Sequence, residues 1–117
     1  MAMPASTVVW DDSIDPYDIK DFKLDLSPML EPGENIAAHT LVLLSESLLM
    51  GLVLGTGLYQ KVLNGNILTL WFSIDPTMQD NPVFNNGVTL PMEISITSDS
   101  TPARKTQRTV AIKVVQK

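Results

Sequence analysis

Between residues 88 and 115 the chain alternates apolar and polar side chains with a period that only an extended strand turns into one apolar face. Val88, Leu90, Met92, Ile94 and Ile96 are separated by Thr89, Pro91, Glu93, Ser95 and Thr97. A period of two puts the first set on one side of a strand and the second on the other. After the turn formers Ser98-Asp99-Ser100-Thr101-Pro102 the alternation resumes with Val110, Ile112 and Val114. Two such strands make an antiparallel ribbon with one oily and one wet face. A lone ribbon is marginally stable, so its oily face requires a second layer.

The remaining chain supplies that layer in short pieces. Phe22, Leu24 and Leu26 alternate with Asp21, Lys23 and Asp25, a strand with a charged outer side. Ser27-Pro28 resembles a helix start, and Glu31-Pro32-Gly33 ends it within a turn. Residues 35–44 read as a strand, Ser45-Glu46-Ser47 as a turn and residues 48–54 as another strand; helix is the rival assignment over 41–54, opposed by Gly51, Gly55 and Gly57. Asn64-Gly65 suits the two positive-φ positions of a tight hairpin, from which Leu68, Leu70, Phe72 and Ile74 return on one face. Trp71 falls on the opposite, nominally wet face, either under a neighbouring loop or in a contact surface. Residues 75–87 read as a polar surface loop, and Pro91 implies an edge or a bulge in its strand. The expected fold is all-β: an antiparallel β-sandwich of immunoglobulin-like size with about seven strands. Residues 1–16 are expected to form an extended N-terminal arm that either straps onto its own domain or reaches out to a partner, and residues 17–117 the sandwich domain.

Composition narrows the function. A chain of 117 residues, 44% hydrophobic, is one domain that buries roughly 65% of its unfolded surface. The absence of cysteine excludes disulfides, thiolate zinc sites and cysteine nucleophiles. The opening residues have neither the basic flank nor the apolar core of a signal peptide, and the longest apolar stretch, 41–54, is broken by Ser45-Glu46-Ser47. A soluble protein used without export, with no membrane partner, is expected. Net charge is −5, with six of thirteen acidic residues between Asp11 and Asp25 and five of eight basic ones between Arg104 and Lys117. An acidic front and a basic end argue against a nucleic-acid module. They imply two solvated faces, or two ends that meet within a subunit or between copies.

Little in the sequence suggests catalysis. His39 is the single histidine, set among apolar neighbours, and no nucleophile-elbow pattern accompanies Ser45 or Ser47. The cluster Asp11, Asp12, Asp15, Asp18, Asp21 and Asp25 lacks a calcium-loop spacing, and the glycines at 51–57 lack that of a phosphate cradle. No catalytic residue, metal or cofactor is assigned. The candidate contact residues are Val8, Val9, Trp10, Asp11 and Asp12, an apolar-then-acidic arm, together with Trp71. A Trp on an arm is a typical interface anchor.

Several elements, in order, carry a likeness. Asp15-Pro-Tyr17 and Asp25-Leu-Ser-Pro-Met-Leu30 stand where one family has an Asp-aromatic pair and a D-W-S-x-W-L element, with both Trp positions here apolar. Pro32-Gly33-Glu34-Asn35-Ile36 matches its polar turn and Ile. Thr69, Trp71 and Ser73 lie in a strand like its V-T-x-W-L-S, and Arg104, Arg108-Thr109-Val110, Ile112 and Val114 match its closing ribbon. Over residues 15–117 the chain resembles the small immunoglobulin-like virion proteins of tailed bacteriophages, the phage fibre or head-decoration family. The resemblance implies a non-enzymatic virion component made in the bacterial cytoplasm and present in many copies. The role expected is a capsid decoration (cement) protein on the outer shell. Its partners would be the major capsid protein and copies of itself, most simply as a homotrimer. The arm would order against the shell, so that its removal would leave the domain folded. A head–tail connector and a host-surface glycan-binding module are the alternatives.

Overall fold

The computed structural model describes residues 3–117. Its strands are β1 (Val8–Ile14), β2 (Lys20–Asp25), β3 (Ile36–Leu43), β4 (Leu52–Leu54), β5 (Val62–Asn64), β6 (Ile67–Ile74), β7 (Val88–Ser98) and β8 (Lys105–Val114). A five-residue helix, α1 (Ser45–Leu49), lies between β3 and β4. The alternating stretch folds as its period requires: β7 and β8 pair antiparallel from Val88↔Val114 to Thr97↔Lys105. That ribbon is the middle of one sheet, ordered β1-β8-β7-β3, and the second sheet is ordered β2-β6-β4 with β5 also on β6. The protein is an all-β two-sheet structure. Its core is the row Leu68, Leu70, Phe72 and Ile74 of β6 facing Leu90, Met92, Ile94, Val110, Ile112 and Val114 of the ribbon, each at most 2% exposed.

Three local features depart from the sequence reading. Residues 48–51 are not strand: α1 forms from Ser45, and its buried Ser47 hydroxyl donates to the Pro91 carbonyl at 2.6 Å. Gly51, at φ 86°, stops the helix and releases the chain into the three residues of β4. In the hairpin the loop residues are Gly65 and Asn66, flanked by the pair Asn64↔Ile67. Only Gly65 has positive φ there, at 62°, the pattern of a turn with Gly first rather than Asn-Gly central. Finally, residues 75–87 are more than surface: Phe84, in the 3₁₀ turn Pro82–Asn85, is 1% exposed and plugs the end of the core.

Pro91 sits in a central strand, yet it costs no ladder bond. The pairing of β3 with β7 ends at Leu43↔Met92, one residue before Pro91. The Pro91 carbonyl points to that side, accepting from the Leu44 N–H at 3.4 Å and from Ser47. In an extended strand the N–H of a residue points the same way as its C=O, so the missing donor lies beyond the end of β3. The strand is locally an edge there, without a bulge.

The expected arm straps onto its own domain rather than reaching outward, and it does so as a strand of the sheet, so the sandwich begins before residue 17. Residues 8–14 are β1, bonded parallel to β8 from Val8↔Val110 to Ile14↔Val114, so the sandwich is not purely antiparallel. Ile14 is fully buried in the core. The register skips between Val9↔Ala111 and Ser13↔Lys113, and the bulge so formed turns Trp10 inward. There its ring lies 5.3 Å from Phe22 and 5.8 Å from Phe72, and its Nε1 donates to the Lys23 carbonyl at 2.9 Å. A Trp placed beside an open aromatic seam gains more by packing there than by reaching outward.

Core position and face predict the response to truncation. Phe72→Ala is expected to lose about 3–5 kcal/mol of stability in urea unfolding. Thr69→Ala, on the outward side of the same strand, is expected to stay within about 0.5 kcal/mol.

Candidate interaction surfaces

The predicted contact residues separate into two places. Val8, Val9, Trp10 and Asp11 line a groove of about 600 Å³ at the open side of the sandwich, where the edge strand β1 faces the edge strand β2. Asp12 stands beside it in an ion pair with Lys20 and accepts the Ser13 N–H at 2.9 Å; these bonds hold its carboxyl below the usual range. Trp71 lies elsewhere, on the outer face of the β2-β6-β4 sheet. The structure does not bring the two groups together. Val8 and Val9 are exposed, at 56% and 42%, whereas Trp10 is half-buried and belongs to the core seam.

Trp71 is covered in part by a chain excursion. β4 pairs with β6 at Leu52–Leu54 and β5 pairs with it at Val62–Asn64, so residues 55–61 leave the sheet between them. They fold back over the outer face, and the Tyr59 ring comes to 5.1 Å from Trp71. The Gly55 N–H donates to the Trp71 carbonyl at 2.8 Å. A Cβ on Gly55 would stand 2.4 Å from the Tyr59 carbonyl oxygen, so glycine is required for this approach. Around the Trp71–Tyr59 pair the face carries Val53, Val62 and Ile67, which alternate outward on their strands, while Leu58, next to Tyr59 in the excursion, is 95% exposed. Sequence reading found Trp71 but missed Leu58, Tyr59 and Val62. The outward parity of Val62 opposite Thr69 was the available signal; the fold-back of 55–61 was not encoded in any period.

The acidic front and basic end meet within the subunit. The Lys117 N–H donates to Asp15 at 2.7 Å, its Nζ to the Ser13 carbonyl at 2.9 Å, and the Val115 N–H to the Ile14 carbonyl at 2.9 Å. At the opposite end of β8, Arg104 bonds Glu34 at 3.2 Å and approaches Glu31 at 3.4 Å. The Glu34 side chain is 9% exposed and accepts from the Glu31 N–H at 2.8 Å, from the Ser100 hydroxyl at 2.8 Å and from Arg104. These donors, the Glu31 N–H foremost, hold its pKa at about 2. His39, half-buried in β3, has no partner for Nδ1 among the described residues, and burial, then Lys61, lowers its pKa. Among the described residues no three His, Cys, Asp or Glu are placed to hold a metal, and no helix is long and apolar enough to cross a membrane.

Neither a family model, nor a curated protein, nor a solved structure matches this chain.

Two outcomes test this account of the edges. Trp10→Ala is expected to destabilise by about 2 kcal/mol, and deletion of residues 1–12 to lower the melting temperature sharply, because both open the Trp10–Phe22–Phe72 seam. An unchanged melting temperature after the deletion would contradict it. Glu34 has a folded pKa below its unfolded value, so its stabilisation is complete above about pH 4.5 and is lost as pH falls towards about 2. Glu34→Gln is therefore expected to be less stable than the parent at pH 7, with the gap closing across that window in calorimetric scans.

Proposed function

We propose that this chain is a non-catalytic adhesion protein, a capsid decoration protein of a tailed bacteriophage. It docks on the outer shell through the outer face of the β2-β6-β4 sheet. The observation that carries the reading is the group Val53, Tyr59, Val62 and Ile67 around Trp71 on one sheet face, with the exposed Leu58 beside Tyr59 in the excursion over it. Exposed Leu or Val residues scattered singly need no explanation; an aromatic-centred group on one face marks a contact site. Asp21, Lys23 and Asp25 of β2 border it, the arrangement of an apolar centre with a charged rim.

The strand order supports an immunoglobulin-like identity for the sandwich. β2, β6 and β4 share one sheet and β3, β7 and β8 the other, as B-E-D and C-F-G do in that fold. The resemblance of residues 15–117 to small phage virion proteins supplies the shell as partner. In this reading Trp71 and Tyr59 are the anchors, and the rigid sheet beneath holds them in place before contact, which lowers the ordering cost of binding. Trimers on the shell remain the simplest closed arrangement.

The test is co-sedimentation with empty shells assembled from the capsid protein of the same genome. The double variant Leu58→Asp, Val62→Asp is expected to keep the parent's melting temperature, since both side chains are exposed, and to lose shell binding by about a hundredfold. Undiminished binding would overturn the assignment of this face.

A further inference from the structure

Asn-Gly occurs twice in the chain, at Asn64-Gly65 and at Asn86-Gly87, and the fold holds the two pairs differently. A backbone nitrogen that follows an asparagine can attack the side-chain amide before it, and glycine, with no Cβ, hinders that attack least. Asn86-Gly87 is tied down. The Gly87 N–H donates to the Phe84 carbonyl at 3.2 Å, and the same carbonyl accepts from the Gln116 N–H at 2.8 Å. Phe84 is the plug of the core, and a Cβ on Gly87 would stand 3.0 Å from Lys113 Cε and 3.3 Å from Val115 Cβ. Turning the Gly87 nitrogen toward the Asn86 side chain therefore breaks a hydrogen bond and disturbs packed neighbours.

Asn64-Gly65 is open. Both residues are exposed, and Gly65, at φ 62°, has nothing within 4 Å of the place a Cβ would take. Asn64 pairs with Ile67, so the ladder closes across the loop and leaves the Gly65 N–H without an acceptor among the described residues. The Asn64 side chain makes no hydrogen bond among them either, so nothing holds it away from that nitrogen. The remaining asparagines are shielded in other ways. Asn35 is bonded through Nδ2 to Asp99 at 3.2 Å, and Asn81 precedes Pro82, which has no N–H. Asn66 and Asn85 precede residues with side chains of their own, Ile67 and Asn86.

We propose that Asn64-Gly65 is a self-modifying site, at which the folded chain deamidates through a cyclic imide. The Gly65 nitrogen gives up its proton and bonds to Asn64 Cγ, the Cγ–Nδ2 bond breaks, and the amide nitrogen leaves as ammonia with that proton. Water then opens the ring. Attack at Cγ leaves an aspartate on an unchanged backbone. Attack at the former main-chain carbonyl leaves an isoaspartate, in which the chain runs through Cγ and is one methylene longer. Either product carries one more negative charge than the parent. The isoaspartate also lengthens the tight loop between Asn64 and Ile67, where loop length fixes the register of the ladder. β5 is held to the sheet by three pairs with β6, so a disturbed register loosens it. That frees one end of residues 55–61, the segment that carries Tyr59 onto Trp71. Ageing at one bond thereby alters the outer face, whether or not that face binds a shell.

The full chain is aged at mildly alkaline pH, folded and in urea, and then cut at Trp71 or Phe72 so that the two Asn-Gly pairs fall in separate peptides. Mass spectrometry follows the gain of about one dalton on deamidation, and an isoaspartyl methyltransferase labels the isoaspartate. In the folded chain Asn64 is expected to react at least about tenfold faster than Asn86, the rate equivalent of the hydrogen bond that the second site must break. In urea the two rates are expected to converge, because both pairs consist of the same two residue types. Asn64→Gln, whose longer side chain would have to close a larger ring, is expected to keep the melting temperature and to abolish the gain in its peptide. Amide exchange at Val62 and Leu63 is expected to rise in the isoaspartate fraction but not in Asn64→Asp, which adds the charge without the methylene. The proposal is overturned if Asn64 stays intact, or if Asn86 keeps pace with it in the folded chain. It is equally overturned if the difference persists undiminished in urea, since local sequence rather than the fold would then set it. Unchanged exchange in the isoaspartate fraction would overturn the effect on the outer face.

Discussion

One row of side chains against another holds this protein together. Leu68, Leu70, Phe72 and Ile74 alternate inward from β6 and meet the inward rows of β7 and β8, all nearly inaccessible to water. Each buried side chain of this size contributes on the order of 1.5–3 kcal/mol by leaving water. Neither row can be satisfied alone, because each belongs to a sheet whose other face is wet. Everything else in the structure either extends these rows or closes their ends. Phe84 plugs one end and the Trp10–Phe22–Phe72 seam closes the side.

Closure is also polar. Arg104, Glu34 and Ser100 tie the β7–β8 turn to the segment before β3, while Lys117 ties the end of the chain to Asp15 and Ser13. Exposed pairs of this kind contribute little individually, but each of these joins residues far apart in sequence. They hold strand ends in register where the hydrophobic rows have run out. The same economy leaves the outer face around Trp71 unclosed, and function is argued from that surface.

The elements built on period were legible. The ribbon, β2 and β6 stand where alternation placed them, since a period of two has one structural meaning over five or more residues, and β3 stands where its strand-forming residues put it. The short turn after Ser27 was legible for a different reason, the Pro at its start. What failed was short or context-bound. Residues 45–49 became helix where the Ser47 hydroxyl shares the Pro91 carbonyl with the Leu44 N–H, a partner 44 residues away. Residues 1–16 looked detachable because Val8-Val9-Trp10 is brief and followed by acids, and nothing local announces a parallel pairing with β8.

By itself, then, the sequence determined the all-β character, the central ribbon and which of its faces is oily, because strand parity is a property of adjacent residues. It also determined that Trp71 would point away from the core. Tertiary structure alone decided that Trp10 turns inward while Trp71 keeps an outward face under Tyr59, and that among the described residues β1 pairs with β8 only from Val110 onward. Those outcomes depend on where β1 meets β8 and where residues 55–61 leave the sheet. Such placements are set by the shape of the gaps remaining once the core has formed, and no local pattern records that shape.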